Sequence, residues 1–189
     1  MPYLRRAGLA LALALVPSVA PAADAPPSLK VLFLGDQGHH RPADRAAQIT
    51  PVLALRGIDV TYTEDLAALN ADALAKYDAL LIYANAEKIA PEQEKALLEW
   101  VEAGGGFVPV HCASYCFLNS DAYVDLVGAQ FDRHGTGEFD TKVVEAEHPV
   151  TKGLSPFRTW DETYVHRRHN TEGRTVLQVR AEGDREEPW

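Results

Sequence analysis

The sequence predicts an α/β fold: a doubly wound, mainly parallel sheet with helices on both faces. Two observations carry this. Short, wholly apolar strand segments recur along the chain, and helix signals with Pro at the start or Gly at the end fall between them. Val31–Leu34 is the first such strand. Pro42 then opens an amphipathic helix carrying Ala46, Ala47, Ile49, Val52, Leu53 and Leu55, closed by Gly57. Ile58–Tyr62 is a β-branched strand, Asn70–Ala75 a turn of helix, and Ala79–Tyr83 another buried strand. Pro91 starts a helix through Trp100 and Val101, which Gly104-Gly105-Gly106 ends before the strand Phe107–Val110. Repeated βα units of this length imply parallel pairing with right-handed crossovers.

The remainder changes character. Asp121–Val127 reads as a helix, and Glu138–Ala146, Thr159–Val165 and Thr175–Val179 read as strands. Between them His148–Gly153 is turn chemistry. The chain ends at Trp189 just after a strand, without a closing element, so the domain is expected to be incomplete at its C-terminus.

Residues 1–22 read as a secretory signal peptide. Arg5 and Arg6 form a basic start, Gly8–Val16 is an apolar run too short to span a bilayer, and Ala20-Pro21-Ala22 supplies small residues for cleavage. An uncleaved anchor is the alternative. Residues 23–28 are then a linker and 29–189 a single domain, placed in the periplasm or otherwise exported. The net charge of −9, spread along the chain, disfavours nucleic acid and anionic membrane surfaces as partners. The two cysteines, Cys112 and Cys116, are either a local disulfide or buried free thiols; one Cys-x3-Cys pair is a weak zinc signal.

Ligands of open α/β sheets bind at the C-terminal ends of the strands. Two strands here run into histidine at those ends: the first into Gly35–Pro42 with His39 and His40, the fourth into His111. His111 is the leading catalytic candidate, as base, donor to a substrate oxygen, or ligand; a buried histidine satisfied by backbone is the plain alternative. His39, His40 and Asn85, at the end of the third strand, are candidate substrate contacts. Trp160–His169 places Asp161 and Glu162 beside aromatics and histidines, the ingredients of a carbohydrate cleft. On a strand these carboxylates face opposite sides, so one of them enters a given site. Tyr164 and His134 join as substrate contacts, with Arg133–Gly137 as a mobile lid. His39, His40, His111 and His166, with His169, are candidate ligands for a divalent metal, but no diagnostic spacing such as H-E-x-x-H is present.

The opening LFLG-x-x-GHH, the ALLIYAN strand, GGGFVPVHCAS, the HP-x-x-x-GL turn and the WDETY segment together resemble the ThuA-like family, named for trehalose utilisation. The similarity spans residues 29–189. It implies a flavodoxin-like sheet within the class I glutamine-amidotransferase-like superfamily, and a role in disaccharide or keto-sugar metabolism. It also implies a chain continuing past Pro188-Trp189. Where amidotransferases carry a cysteine followed by glycine, this chain has His111 and then Cys112, so glutaminase chemistry is not expected. The leading expectation is a sugar-processing hydrolase or lyase. The alternatives are a non-catalytic carbohydrate-binding module partnering a periplasmic dehydrogenase, and a divalent-metal hydrolase.

Overall fold

A computed structural model describes residues 28–188; the signal-peptide reading and most of the linker fall outside the described residues. The first half is a parallel sheet in the order β2-β1-β3-β4, built from β1 (Leu29–Leu34), β2 (Ile58–Thr63), β3 (Ala79–Ile82) and β4 (Gly106–Pro109). Helix α1 (Pro42–Ala54) joins β1 to β2, α2 (Ala71–Leu74) precedes β3, and α3 (Pro91–Glu102) joins β3 to β4. Because β2 and β3 lie on opposite sides of β1, the loops leaving β1 and β3 diverge and open a crevice between them.

Alternation along the strands builds the core. Leu32, Leu34, Leu80 and Ile82 point to one face and pack with Leu69, Leu74, Leu97 and Tyr123. Burying each such aliphatic side chain is worth about 1.5–3 kcal/mol. The α1 side is shallower: only Pro42 and Ala46 of that helix are buried, and Val52 and Leu55, expected from the sequence to belong to its apolar stripe, are exposed. The helix ends are held by local side chains. Asn70 accepts from the Ala73 N–H at 2.9 Å, Gln93 from the Ala90 N–H at 3.0 Å, and Ser120 from the Tyr123 N–H at 2.9 Å.

The second half departs from the expectation of one doubly wound sheet. After α4 (Asp121–Val127), strands β5 (Gln130–Val143), β6 (Arg158–Arg167), β7 (Gln178–Glu182) and β8 (Arg185–Pro188) form a separate antiparallel sheet in the order β6-β5-β7-β8. The physical reason is connection length and pattern. These strands alternate apolar and polar residues and follow one another without crossover helices, so antiparallel pairing is available to them. Arg133–Gly137, expected as a mobile lid, lies inside β5 and is paired with β6. Arg185–Pro188, to which the sequence reading assigned no element, form β8 against β7 after a turn at Gly183. Among the described residues no helix is long and apolar enough to cross a membrane.

Candidate functional site

The site is assembled on the loop after β1. Asp36 accepts the Gly38 N–H at 2.7 Å, an Asx turn, and with its other oxygen accepts the backbone N–H of Asn85 after β3. One carboxylate therefore ties the two diverging loops together. Gly35 is needed at the foot of this loop, because a Cβ there would fall 2.6 Å from the Tyr62 ring and 2.7 Å from Pro42 Cβ. Beyond the turn come His39 and His40, ring centroids 4.0 Å apart, followed by Arg41 in left-handed backbone at φ 54° and the start of α1.

His111 follows β4 at φ 51°, a conformation uncommon outside glycine, and opens a 3-10 turn over His111–Tyr115. The strained corner is braced from behind. Ser114 Oγ donates to the His111 carbonyl at 3.1 Å, and His166 Nε2 lies 3.3 Å from that Oγ. On its other side the His111 ring stacks on Tyr164 at 4.5 Å and meets the His40 ring edge-on at 4.7 Å. His111 Nε2 stands 3.1 Å from the Tyr164 hydroxyl and 3.2 Å from Glu162 Oε2.

Glu162 and Tyr164 come from the middle of β6, opposite Thr136 and His134 of β5. A bulge between Phe131 and Arg133 shifts the register, so that Phe131 opposite His166 and His134 opposite Tyr164 share the face turned to the site. His134 Nε2 lies 3.8 Å from Glu162 Oε1. Arg180 of β7, 1 % exposed, donates to the Tyr164 carbonyl at 2.8 Å from the far face.

These residues enclose a pocket of about 150 Å³ lined by His39, His40, Asn85, Tyr115, Phe131, His134, Glu162 and Tyr164. His111, its side chain 27 % exposed, adjoins the lining through His40, Glu162 and Tyr164. Burial pushes the imidazoles of His111 and His40 below their ordinary value; for His111 the neighbouring Glu162 and Asp161 carboxylates oppose that push. Burial, then the Glu162 charge, holds the Tyr164 hydroxyl protonated. Asn85 Oδ1 and Glu162 Oε2 are shielded from solvent without a hydrogen bond of good geometry; Glu162 Oε2 has His111 Nε2 at 3.2 Å.

Of the residues singled out from sequence, the structure brings His39, His40, Asn85, His111, His134, Glu162 and Tyr164 together. Asp161 is on the opposite face of β6, as strand alternation requires, and its carboxylate accepts the Glu162 N–H. His166 serves the Ser114 brace rather than the histidine group, and the exposed His169 stacks edge-on against it at 6.2 Å. The imidazoles meet ring to ring, and among the described residues no three His, Cys, Asp or Glu side chains are arranged to hold a metal ion. Cys112 and Cys116 are free, buried thiols. Burial pushes both up, Cys116 to about 12, so neither is a ready thiolate. Residues that sequence reasoning missed are Tyr83, whose ring lies within 6 Å of His40 and His111, together with Asp36, Phe131 and Arg180. The Asp36-x-Gly38 spacing is an Asx-turn signal legible in the sequence; the other three depend on tertiary placement.

Four of the five sequence motifs, all but the His148–Leu154 turn, meet at this pocket, and a family comparison agrees over nearly the whole described chain. The match to the ThuA family, trehalose utilisation, runs over residues 30–188. The chain belongs to the ThuA family. A ThuA-like protein from Bacteroides uniformis superposes with a TM-score of 0.71 at 21 % identity, covering 86 % of this chain and 72 % of that one. A second, from Parabacteroides merdae, gives 0.66 at 19 % identity, with 81 % and 68 % covered. Among curated proteins there is no significant match. Membership of the ThuA family supports a carbohydrate-related role; the two structural likenesses concern the fold.

Proposed function

We propose that this ThuA-family protein is a sugar-processing enzyme whose pocket takes one neutral sugar ring and whose His111 moves a proton to or from a sugar oxygen or an adjoining carbon. The observation that carries the reading is His111 Nε2 standing within 3.2 Å of both the Tyr164 hydroxyl and Glu162 Oε2, on a strained corner at a strand C-terminus. With its basicity reduced by burial, the His111 ring is neutral at pH 7 and can accept a proton, and the Glu162 carboxylate beside it stabilises the imidazolium that results. Tyr164, kept protonated, donates to a substrate oxygen. The Asn85 amide and the Glu162 carboxylate line the pocket as partners for sugar hydroxyls, while Tyr115, Phe131 and Tyr164 offer aromatic faces to sugar C–H groups. None of the lining side chains is Lys or Arg, which favours an uncharged sugar over a sugar phosphate. Hydrolysis and elimination both need such a proton-transfer group.

The strand order β2-β1-β3-β4 supports a flavodoxin-like arrangement, whose order begins the same way, and with it the class I glutamine-amidotransferase-like superfamily. The apolar segment ahead of Ala22 supports export to the periplasm.

The test is incubation of the mature protein with trehalose, maltose and their keto derivatives, with products read by chromatography. His111→Asn keeps a residue type that tolerates the left-handed corner, whereas His111→Ala adds backbone strain. Both are expected to lower turnover by about 10²–10⁴-fold, with His111→Asn folding as the wild type. Turnover retained in His111→Asn would overturn the assignment.

A further inference from the structure

The face of β6 that carries Glu162 and Tyr164 continues outward to Trp160, because residues two apart on a strand share a side. Trp160 is 66 % exposed, and among the described residues no ring or cation stacks on it. Glu138 stands directly opposite it across the β5–β6 ladder, just as Thr136 stands opposite Glu162. The surroundings are polar: the next pair outward is the Asp140–Arg158 ion pair. A single indole in a charged frame is a poor protein-docking patch but a good platform for the C–H face of a polyol.

The pocket is small, about 150 Å³, and Trp160 lies outside its lining. Trp160 lies two residues beyond the pocket-lining Glu162, about 7 Å along the strand, which is the reach of an adjoining sugar unit. We propose that Trp160 and Glu138 form a second-ring subsite, the indole stacking on the outer sugar of a two-ring ligand and the Glu138 carboxylate accepting its hydroxyl protons. This rests on the carbohydrate reading of the pocket and adds to it the two residues that would distinguish a two-ring ligand from a single sugar.

The test is titration calorimetry of glucose, trehalose and maltose against the wild type, Trp160→Ala and Trp160→Phe, with indole fluorescence followed in parallel. Trp160 is exposed on a strand surface, so neither variant threatens folding. The wild type is expected to bind at least one disaccharide about tenfold tighter than glucose, with a change in indole emission. Trp160→Ala should erase that preference and leave glucose affinity unchanged, and Trp160→Phe should restore part of it. If glucose binds but the disaccharide preference is absent, or survives intact in Trp160→Ala, the subsite is overturned and the pocket reading stands. If the wild type binds none of the three, both fall.

Discussion

The parallel sheet supplies its site residues from strand ends, whereas the antiparallel sheet supplies them from the middle of a strand. His39, His40, Asn85 and His111 all follow a C-terminal strand boundary, where the backbone leaves the ladder and turns. Glu162, Tyr164 and His134 stand within β5 and β6, fixed by pairing register and a bulge. The two halves also differ in what holds them. The first is built on an aliphatic cluster, and the second buries Phe139 and Val179 beside Thr141 and a whole arginine. Strand ends thus place the residues on one wall of the pocket, and a ladder places the carboxylate and ring on the wall that faces them.

Leu80 puts the aliphatic half to its most severe test. Fully buried among Leu32, Leu97 and their neighbours, it should cost about 2–5 kcal/mol when changed to Ala, measured by urea unfolding. A loss well under 1 kcal/mol would mean that the parallel half is not the centre of stability.

Arg180→Met probes the antiparallel half. It leaves the Tyr164 carbonyl without its buried donor, for about 1–3 kcal/mol. The loss should fall at the low end, because Arg180 Nε has only the partly exposed Glu182 carboxylate at 3.4 Å and no hydrogen bond of good geometry, so its desolvation is incompletely offset. Hydrogen exchange should quicken at β6 amides and not at β1 or β3. Equal quickening in both sheets would dissolve the distinction.

A milder effect is expected from pH, and it belongs to the strand-end histidines. His40 and His111 are held below the ordinary 6.5 mainly by burial, so just under that value the unfolded chain binds more protons than the folded one. Their contribution to stability is complete above about pH 6.5 and is lost as pH falls through the lower folded values. The melting temperature should be level above pH 7 and decline below 6. His40→Gln should flatten that decline; a slope unchanged in the variant would show that His40 does not contribute to it.

The histidines of the first half were legible because apolar strands announce their own ends, and ligand chemistry gathers at such ends. Asp161 and Glu162 were legible only as a pair. Choosing between them took the knowledge that β6 is a strand and which face is turned inward. His134 looked like part of a loop because glycines follow it at 135 and 137, yet pairing with β6 outweighs their weak strand propensity. His166 has the same composition signal as His111 and a different task, set by a serine distant in the chain.

Local sequence was enough for the parallel half and its helices, since these rest on periodicity and caps. It was not enough for the second half. That those strands form their own antiparallel sheet, that a bulge turns Phe131 and His134 to one side, and that Glu162 and Tyr164 meet His111 came from tertiary structure alone. Register and the approach of one sheet to another depend on contacts between residues far apart in the chain, and a local pattern does not encode them.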